Sequence, residues 1–342
     1  MINESKLRVA QVGVGGFGRR RRESMRRTGL FELVAAYDWN QEALAECEKE
    51  DGAKPVANYE ELISTPGIEA VIISSGAKYH AEQMLVAMNL GLHVFVEKPL
   101  CSTKSELKTI ISAIKKSGVV VGMGHHDHRS NARSSTVRQM IERGDFGSIA
   151  SFEATTAHSG GLEIKPGDWR GDPEKNPGGM LFHCGTHLMH ELMFYFGPVA
   201  EVYSSMRYDL HPTQTSDVAH CILTFSSGVT GVLSAYHVTP YRSTLNIYGT
   251  KMNLYFEAGG YGIPDKIVTQ LRKVGCELEP QIPLTLDQIG DPDGNIRSFY
   301  ETIKGRGKPS PSLADGVRAV EIVFAAEESS RIHRPVKIQF SL

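Results

Sequence analysis

The apolar positions of this chain follow two different rhythms. Over residues 7–126 they come in short continuous runs: LRVAQVGVG (7–15), ELVAAYD (32–38), EAVIISSGAKYH (69–80), HVFVEKPL (93–100) and GVVVGMGHH (118–126). Runs of this length, stopped by glycine or polar turns, predict strands buried on both faces, as in a parallel sheet. Between them lie helix-forming stretches, RRRRESMRR (19–27), AEQMLVAMNLG (81–91) and SELKTIISAIKKSG (105–118), the last two closed by glycine. Such alternation predicts a doubly wound α/β domain whose ligands sit at the carboxyl ends of its strands. Glu97, Lys98, His125 and His126 all fall at such ends.

Beyond a connecting helix, NARSSTVRQMIERG (131–144), the rhythm changes. SIASFEATTAH (148–158), VAEVYSSMRY (199–208), SDVAHCILTF (216–225), VTGVLSAYHVT (229–239), STLNIYGT (243–250) and MNLYFE (252–257) include several runs that alternate polar with apolar. That period predicts antiparallel strands with one wet face. Two domains are therefore expected, residues 1–125 and 126–342, which suits a chain of 342 residues.

Composition narrows the chemistry. Apolar residues are 41% and charged residues 22%, with a net charge of −2. This balance is that of a globular protein and supplies no broad field for nucleic acid or an anionic membrane, so a small neutral or weakly charged ligand is expected. The start, MINESKLRVA, lacks the features of a signal peptide, and no long apolar run follows; a cytoplasmic protein is expected. Cys47, Cys101, Cys184, Cys221 and Cys276 are widely spaced and odd in number, which points to reduced thiols.

Gly13, Gly15 and Gly18, with Gly16 and Phe17 between them, complete a G-x-G-x-x-G turn between a strand and a helix. There the glycines allow a tight turn and a close approach of backbone to a pyrophosphate seated on the helix N-terminus. Asp38 ends the next strand, twenty residues past Gly18. Its carboxylate can accept from both ribose hydroxyls and would repel a 2′-phosphate, so NAD is expected over NADP. Arg19 or Arg20 stands where a cofactor phosphate is in reach, but four consecutive arginines span the helix circumference and read mainly as a solvated face.

These motifs, with Glu97-Lys98-Pro99, Trp169-Arg170, GGMLFHCGTHLMHEL (178–192) and LADGVRAVEIVFAAEESSRIHRPVKI (313–338), resemble the glucose-fructose oxidoreductase, inositol dehydrogenase and MocA (Gfo/Idh/MocA) family over nearly the whole chain. The resemblance implies a Rossmann domain followed by an α+β domain with an open, mostly antiparallel sheet. A homodimer or homotetramer through that sheet is also implied. It places Lys98 beside the nicotinamide and the substrate hydroxyl. Cofactor contacts are assigned to Gly13, Gly15, Gly16, Phe17, Gly18, Asp38, Ser75, His80, Glu97 and Lys98. Substrate contacts are assigned to Lys98, His125, Trp169, Arg170, His183 and His187. The family pattern Asp-x-Gly-x-His aligns with His183-Cys184-Gly185-Thr186-His187, so His187 inherits the place of the base and His183 replaces an aspartate.

At roughly 100° per residue, His183, His187 and His190 share one helix face, opposite Leu181, Leu188, Leu192 and Phe196. Three readings of that face compete. His187 is a general base, since a histidine pKa of about 6.5 suits proton removal at neutral pH. Alternatively His183 and His187, with His190 or Glu191 and the cluster His125-His126-Asp127-His128, hold a divalent metal. Or the face is merely solvated, which fits His190 best. The leading expectation is an NAD-dependent oxidoreductase acting on a ring hydroxyl of a sugar, cyclitol or sugar derivative. Lys98, His187 and His183 carry the chemistry in it, and no metal is assigned. Its alternatives are a redox-neutral, NAD-dependent glycoside hydrolase or lyase in the same scaffold, prompted by His183, and a nucleotide-sensing regulator. Trp169 is either a pocket wall or a core anchor, and Tyr236 and His237 are weaker pocket candidates.

Overall fold

The computed structural model describes residues 5–260, 262–275, 279–286 and 289–342. In chain order the first elements are β1 (Leu7–Val12), α1 (Gly16–Thr28), β2 (Phe31–Tyr37), α2 (Gln41–Asp51), β3 (Lys54–Pro55) and α3 (Tyr59–Ile63). They continue with β4 (Ala70–Ile73), α4 (His80–Asn89), β5 (His93–Val96), α5 (Lys104–Ser117) and β6 (Val121–Met123). The strands form one sheet in the order β3-β2-β1-β4-β5-β6, parallel at every pairing. Each residue of β4 is buried, as its unbroken apolar run requires. The order reverses between β1 and β4, so the crevice beyond their carboxyl ends is the place for a ligand in this topology.

The chain then enters α6 (Ala132–Glu142), β7 (Ile149–Ala157), α7 (Thr186–Phe196), β8 (Val199–Arg207), β9 (Val218–Phe225), β10 (Thr230–Tyr236), β11 (Arg242–Gly249) and β12 (Met252–Glu257). After β13 (Lys266–Leu271) and β14 (Gln281–Pro283) come α8 (Gly294–Ile303), α9 (Leu313–Ile332) and β15 (Val336–Lys337). A second sheet has the order β14-β13-β12-β11-β7-β10-β9-β8-β15, antiparallel except where β7 runs parallel to β10.

Two compact units result, Met1–Asp127 with Asp291–Val317 and Ser341–Leu342, and His128–Gly290 with Arg318–Phe340. Sequence order alone puts residues 291–317 with the second domain; they pack on the first sheet instead. The cause is the apolar face of α8: Phe299 meets Phe95 edge-on at 5.6 Å and Tyr300 meets Phe31 at 5.8 Å, all four rings buried. Ser312 adds a bridge to Gly122 on β6. Cys47, Cys101, Cys184 and Cys221 are free thiols, as expected, while Cys276 lies outside the described residues.

Candidate active site

The turn after β1 is shaped by close approach. Gly13 has φ of 78°, and a Cβ there would stand 2.6 Å from the Ser75 amide nitrogen; one on Gly18 would overlap the Gly13 carbonyl. Only glycines let these two loops and α1 lie together. Gln11 Nε2 secures the turn by donating to the carbonyls of Gly13 (2.9 Å) and Gly18 (3.0 Å). Gly15 caps α1 without a side-chain bond, and no acidic residue occupies the first turn. That leaves an uncompensated positive helix end suited to phosphate. Phe17 is exposed beside it, with the Arg20 guanidinium 5.7 Å from its ring.

Asp38 is buried at the end of β2. Its Oδ2 accepts from the amides of Val14 (2.8 Å) and Gly15 (3.2 Å), and its Oδ1 from Asn40 (2.9 Å). A carboxylate has about four acceptor sites, so capacity remains for a ribose hydroxyl. The clearance at the glycines, the donors at α1 and this acceptor fit a nicotinamide dinucleotide.

The arginine run is only in part the solvated face that its sequence suggests: Arg19, Arg20, Arg26 and Arg27 are exposed. Arg21 and Arg22 are buried. Arg21 Nη2 pairs with Glu97 Oε1 at 2.7 Å and stacks its guanidinium 4.5 Å from the Phe95 ring, while Arg22 pairs with Asp51. Arg21 also donates to Asn295 Oδ1 (3.0 Å), whose Nδ2 reaches the His125 carbonyl (2.8 Å). Glu97 thus braces the turn that carries Lys98.

His80 is a brace of the same kind. It is 1% exposed, with Nδ1 2.7 Å from the Pro99 carbonyl and Nε2 3.0 Å from the Ser75 carbonyl. Burial pushes its pKa down against the pull of those carbonyls, and a neutral ring donates to one of them. Ser75 Oγ donates to Gln83 Oε1 at 2.6 Å. These contacts tie the turns after β4 and β5 together. The half-buried Lys98 precedes Pro99 through a cis peptide. His125 is buried, whereas His126 is exposed.

In the second unit the helix wheel fails at its start. Residues Leu181–Gly185 form a π-helical turn before α7 begins at Thr186. The wider turn breaks the α-helical period between His183 and His187. His190 is also not solvated: it is 8% exposed and its ring packs tilted against that of His128, with centroids 4.7 Å apart. Glu191, the other suggested ligand, is buried, paired with Arg133 and bonded by the Tyr195 hydroxyl at 2.6 Å. Burial alone would raise its pKa, but Arg133 and His128 hold it at about 2. His187 stands half-buried in the first turn of α7.

His183 goes to a different group. Its ring centroid is 6.1 Å from that of His158 and 6.2 Å from that of His237, which are 5.0 Å from each other. His237 is buried, and burial, then His158, Arg170 and His211, lower its pKa to about 4. Nearby, the half-buried Trp169 lies under the Arg170 guanidinium at 4.9 Å, and Asp168 pairs with Arg170 at 3.4 Å; Trp169 is no core anchor. His158 escaped the sequence reading because only strand register brings it here. Ala157 pairs with Tyr236 across β7 and β10, so the residues that follow, His158 and His237, come side by side.

Residues 7–125 match the model of an oxidoreductase family with an NAD-binding Rossmann fold, and residues 134–255 match the GFO/IDH/MocA C-terminal domain. The chain belongs to the Gfo/Idh/MocA family. It is an NAD(P)-dependent oxidoreductase of that family. Among its Gfo/Idh/MocA relatives is the 1,5-anhydro-D-fructose reductase of Ensifer adhaerens, 27% identical, covering 93% of this chain and 94% of that one. The myo-inositol 2-dehydrogenase of Thermotoga maritima is 23% identical over 97% of this chain and 99% of its own. A levoglucosan dehydrogenase solved with NADH shares the fold, with a TM-score of 0.85 at 22% identity and coverage of 98% and 100%. These relatives are named for oxidation or reduction, and the hydrolase or lyase alternative finds no support among them.

Proposed function

We propose that the protein is an NAD-dependent dehydrogenase that oxidises a ring hydroxyl of a sugar, cyclitol or sugar derivative. The observation that carries this reading is the glycine turn with buried Asp38 at the switch point of the parallel sheet, followed two strands on by the braced Lys98 turn. Relatives named for an anhydro-sugar and for inositol support the substrate class. Asp38 supports NAD over NADP by the charge it presents to a 2′-phosphate.

When bound, the nicotinamide supplies a hydride acceptor. Lys98 Nζ hydrogen-bonds the substrate oxygen and stabilises the negative charge that grows on it as its proton leaves. An imidazole nitrogen of His187 accepts that proton. Each role rests on the residue's setting in its own unit. Trp169 and Arg170 are assigned to substrate contact from the Gly/Pro-rich loop that carries them. A cytoplasmic enzyme fits the absence, among the described residues, of any helix long and apolar enough to cross a membrane. A homodimer or homotetramer through the second sheet completes the reading.

The test is a panel of sugars, anhydro-sugars and cyclitols with NAD and NADP, following absorbance of the reduced cofactor. At least one ring alcohol should yield NADH, faster than it yields NADPH. If cofactor binds but no alcohol on the panel is oxidised and no corresponding ketone is reduced, the reading fails.

A further inference from the structure

The three histidines that meet in the second unit come from three separate elements. His158 follows β7, His237 follows β10, and His183 sits in the π-helical turn, which packs on β10. Each offers one ring nitrogen such that all three nitrogens lie within 4.8 Å of one another. No other group of three or more histidine, cysteine or acidic side chains meets that condition among the described residues. The ligand set that the sequence offers, His183 and His187 with His190 or Glu191 and the cluster His125-His126-Asp127-His128, is a different one. Arg133 and Tyr195 occupy Glu191, and His190 packs against the His128 ring.

We propose that His158, His183 and His237 form a binding site for one first-row divalent cation of the zinc and cobalt class. The chemistry of the donors carries this assignment. Three neutral imidazoles suit a cation of borderline softness, and a set with no carboxylate disfavours magnesium and calcium. Nitrogens held at about 2.0–2.1 Å from one tetrahedral zinc stand roughly 3.4 Å apart, so ring rotations that move each nitrogen by about an ångström close the site.

One of the three rings is already supported, and a second is set by a contact that binding must break. The main chain of His237 is fixed at both ends, its amide donating to the Asp217 carbonyl (2.8 Å) and its carbonyl accepting from the Gly161 amide (2.7 Å). The Gly160 amide donates to His158 Nδ1 at 2.9 Å, which directs Nε2 toward Cys184 Sγ at 3.9 Å. In the metal-free protein that Nε2 carries the ring proton. Binding through it therefore moves the proton to Nδ1 and gives up the Gly160 contact, and binding through Nδ1 displaces the same contact.

Three protein ligands leave a fourth position open, the arrangement of catalytic rather than structural zinc. Arg170, whose charge acts on His237, favours an anionic oxygen there, such as an ionised water or an acidic group of a ligand. Cation binding goes beyond the dehydrogenase reading and is measured without substrate or nucleotide, so either can fail alone.

The experiment uses the full chain without a histidine tag, stripped by a chelator and titrated with zinc or cobalt(II) by calorimetry and visible absorbance. One ion should bind per chain with a dissociation constant of about 10 µM or tighter. X-ray absorption of the zinc-loaded wild type should show three imidazoles at about 2.0–2.1 Å. His158→Gln and His237→Gln should each weaken binding by about a hundredfold. His220→Gln, an exposed histidine on β9, should bind as the wild type does. Failure of the wild type to bind either ion stoichiometrically, a shell with fewer than three imidazoles, or wild-type affinity in both variants would each overturn the assignment.

Discussion

Asp38 holds the amides of Val14, Gly15 and Asn40 and, in the proposed complex, a ribose hydroxyl as well. The two tasks separate by substitution. Asp38→Asn keeps an acceptor for the loop and removes the charge that opposes a 2′-phosphate, so the preference for NAD over NADP in kcat/KM should fall by about tenfold, read from initial rates. Asp38→Ala also leaves the loop amides without their acceptor and should lower stability by about 1–3 kcal/mol in urea unfolding. An unchanged cofactor ratio in Asp38→Asn removes the argument for NAD. Lys98→Ala should lower kcat by roughly 10²–10³, the scale of one lost donor to a developing oxyanion, read from initial rates. His187→Ala should cost about 10²–10⁴ by the same assay. The glycine turn and Asp38 were legible in sequence because a pyrophosphate site is local, with fixed spacing along a strand, a turn and a helix. Glu97 and His80 were not: their partners Arg21 and Pro99 lie 76 and 19 residues away and are brought close only by the sheet.

Among the elements, α6 and α7 are joined by the buried ion pair of Arg133 and Glu191, with the Arg133 guanidinium also 4.0 Å from the Phe256 ring of β12. Glu191 titrates near 2 in the folded chain against 4.5 for a free side chain. Its contribution to stability is therefore complete above pH 4.5 and is lost as pH falls toward and through 2. Thermal melts between pH 5 and 2.5 should fall more steeply for the wild type than for Glu191→Gln, and equal slopes would show that the pair has no such linkage. Glu191→Ala at neutral pH should cost about 3–5 kcal/mol, since it strands a buried guanidinium. In the first unit β1, β2, β4, β5 and β6 with α1, α4 and α5, and in the second β7 to β12, follow the apolar rhythm closely because their burial is periodic; β3, α2 and α3 are not marked by it. The π-helical turn does not follow it, because one extra residue in a turn leaves the apolar count almost unchanged while rotating everything before it. Helix α8 escaped notice for another reason: its apolar face answers to a sheet built some 170 to 290 residues earlier, the span from Phe95 and Phe31 on one side and Phe299 and Tyr300 on the other being 204 and 269 residues.

At the scale of the whole molecule, the second sheet carries a row of apolar side chains that the described residues leave exposed. Tyr203 pairs with Ile222, and Ile222 with Val232, so the three lie abreast on β8, β9 and β10. They are 40%, 44% and 38% exposed, while Val202, Cys221, Leu223 and Leu233, adjacent to them in sequence, are buried. Strand alternation puts the two sets on opposite faces: one in the core of the unit, the other outward. An outward apolar row on a broad antiparallel sheet supports the proposed self-association, because a second copy of the same face can cover it by two-fold symmetry. Sedimentation velocity should then give a mass of at least twice the 37.6 kDa chain. The double variant Ile222→Asp, Val232→Asp should sediment as a monomer, since like charges would be buried against their symmetry mates in the assembly. In a monomer these side chains face water, so the variant chain should keep its far-ultraviolet circular dichroism and bind NADH. A monomeric wild type, or a variant that associates as the wild type does, would remove this face from consideration as the contact between copies.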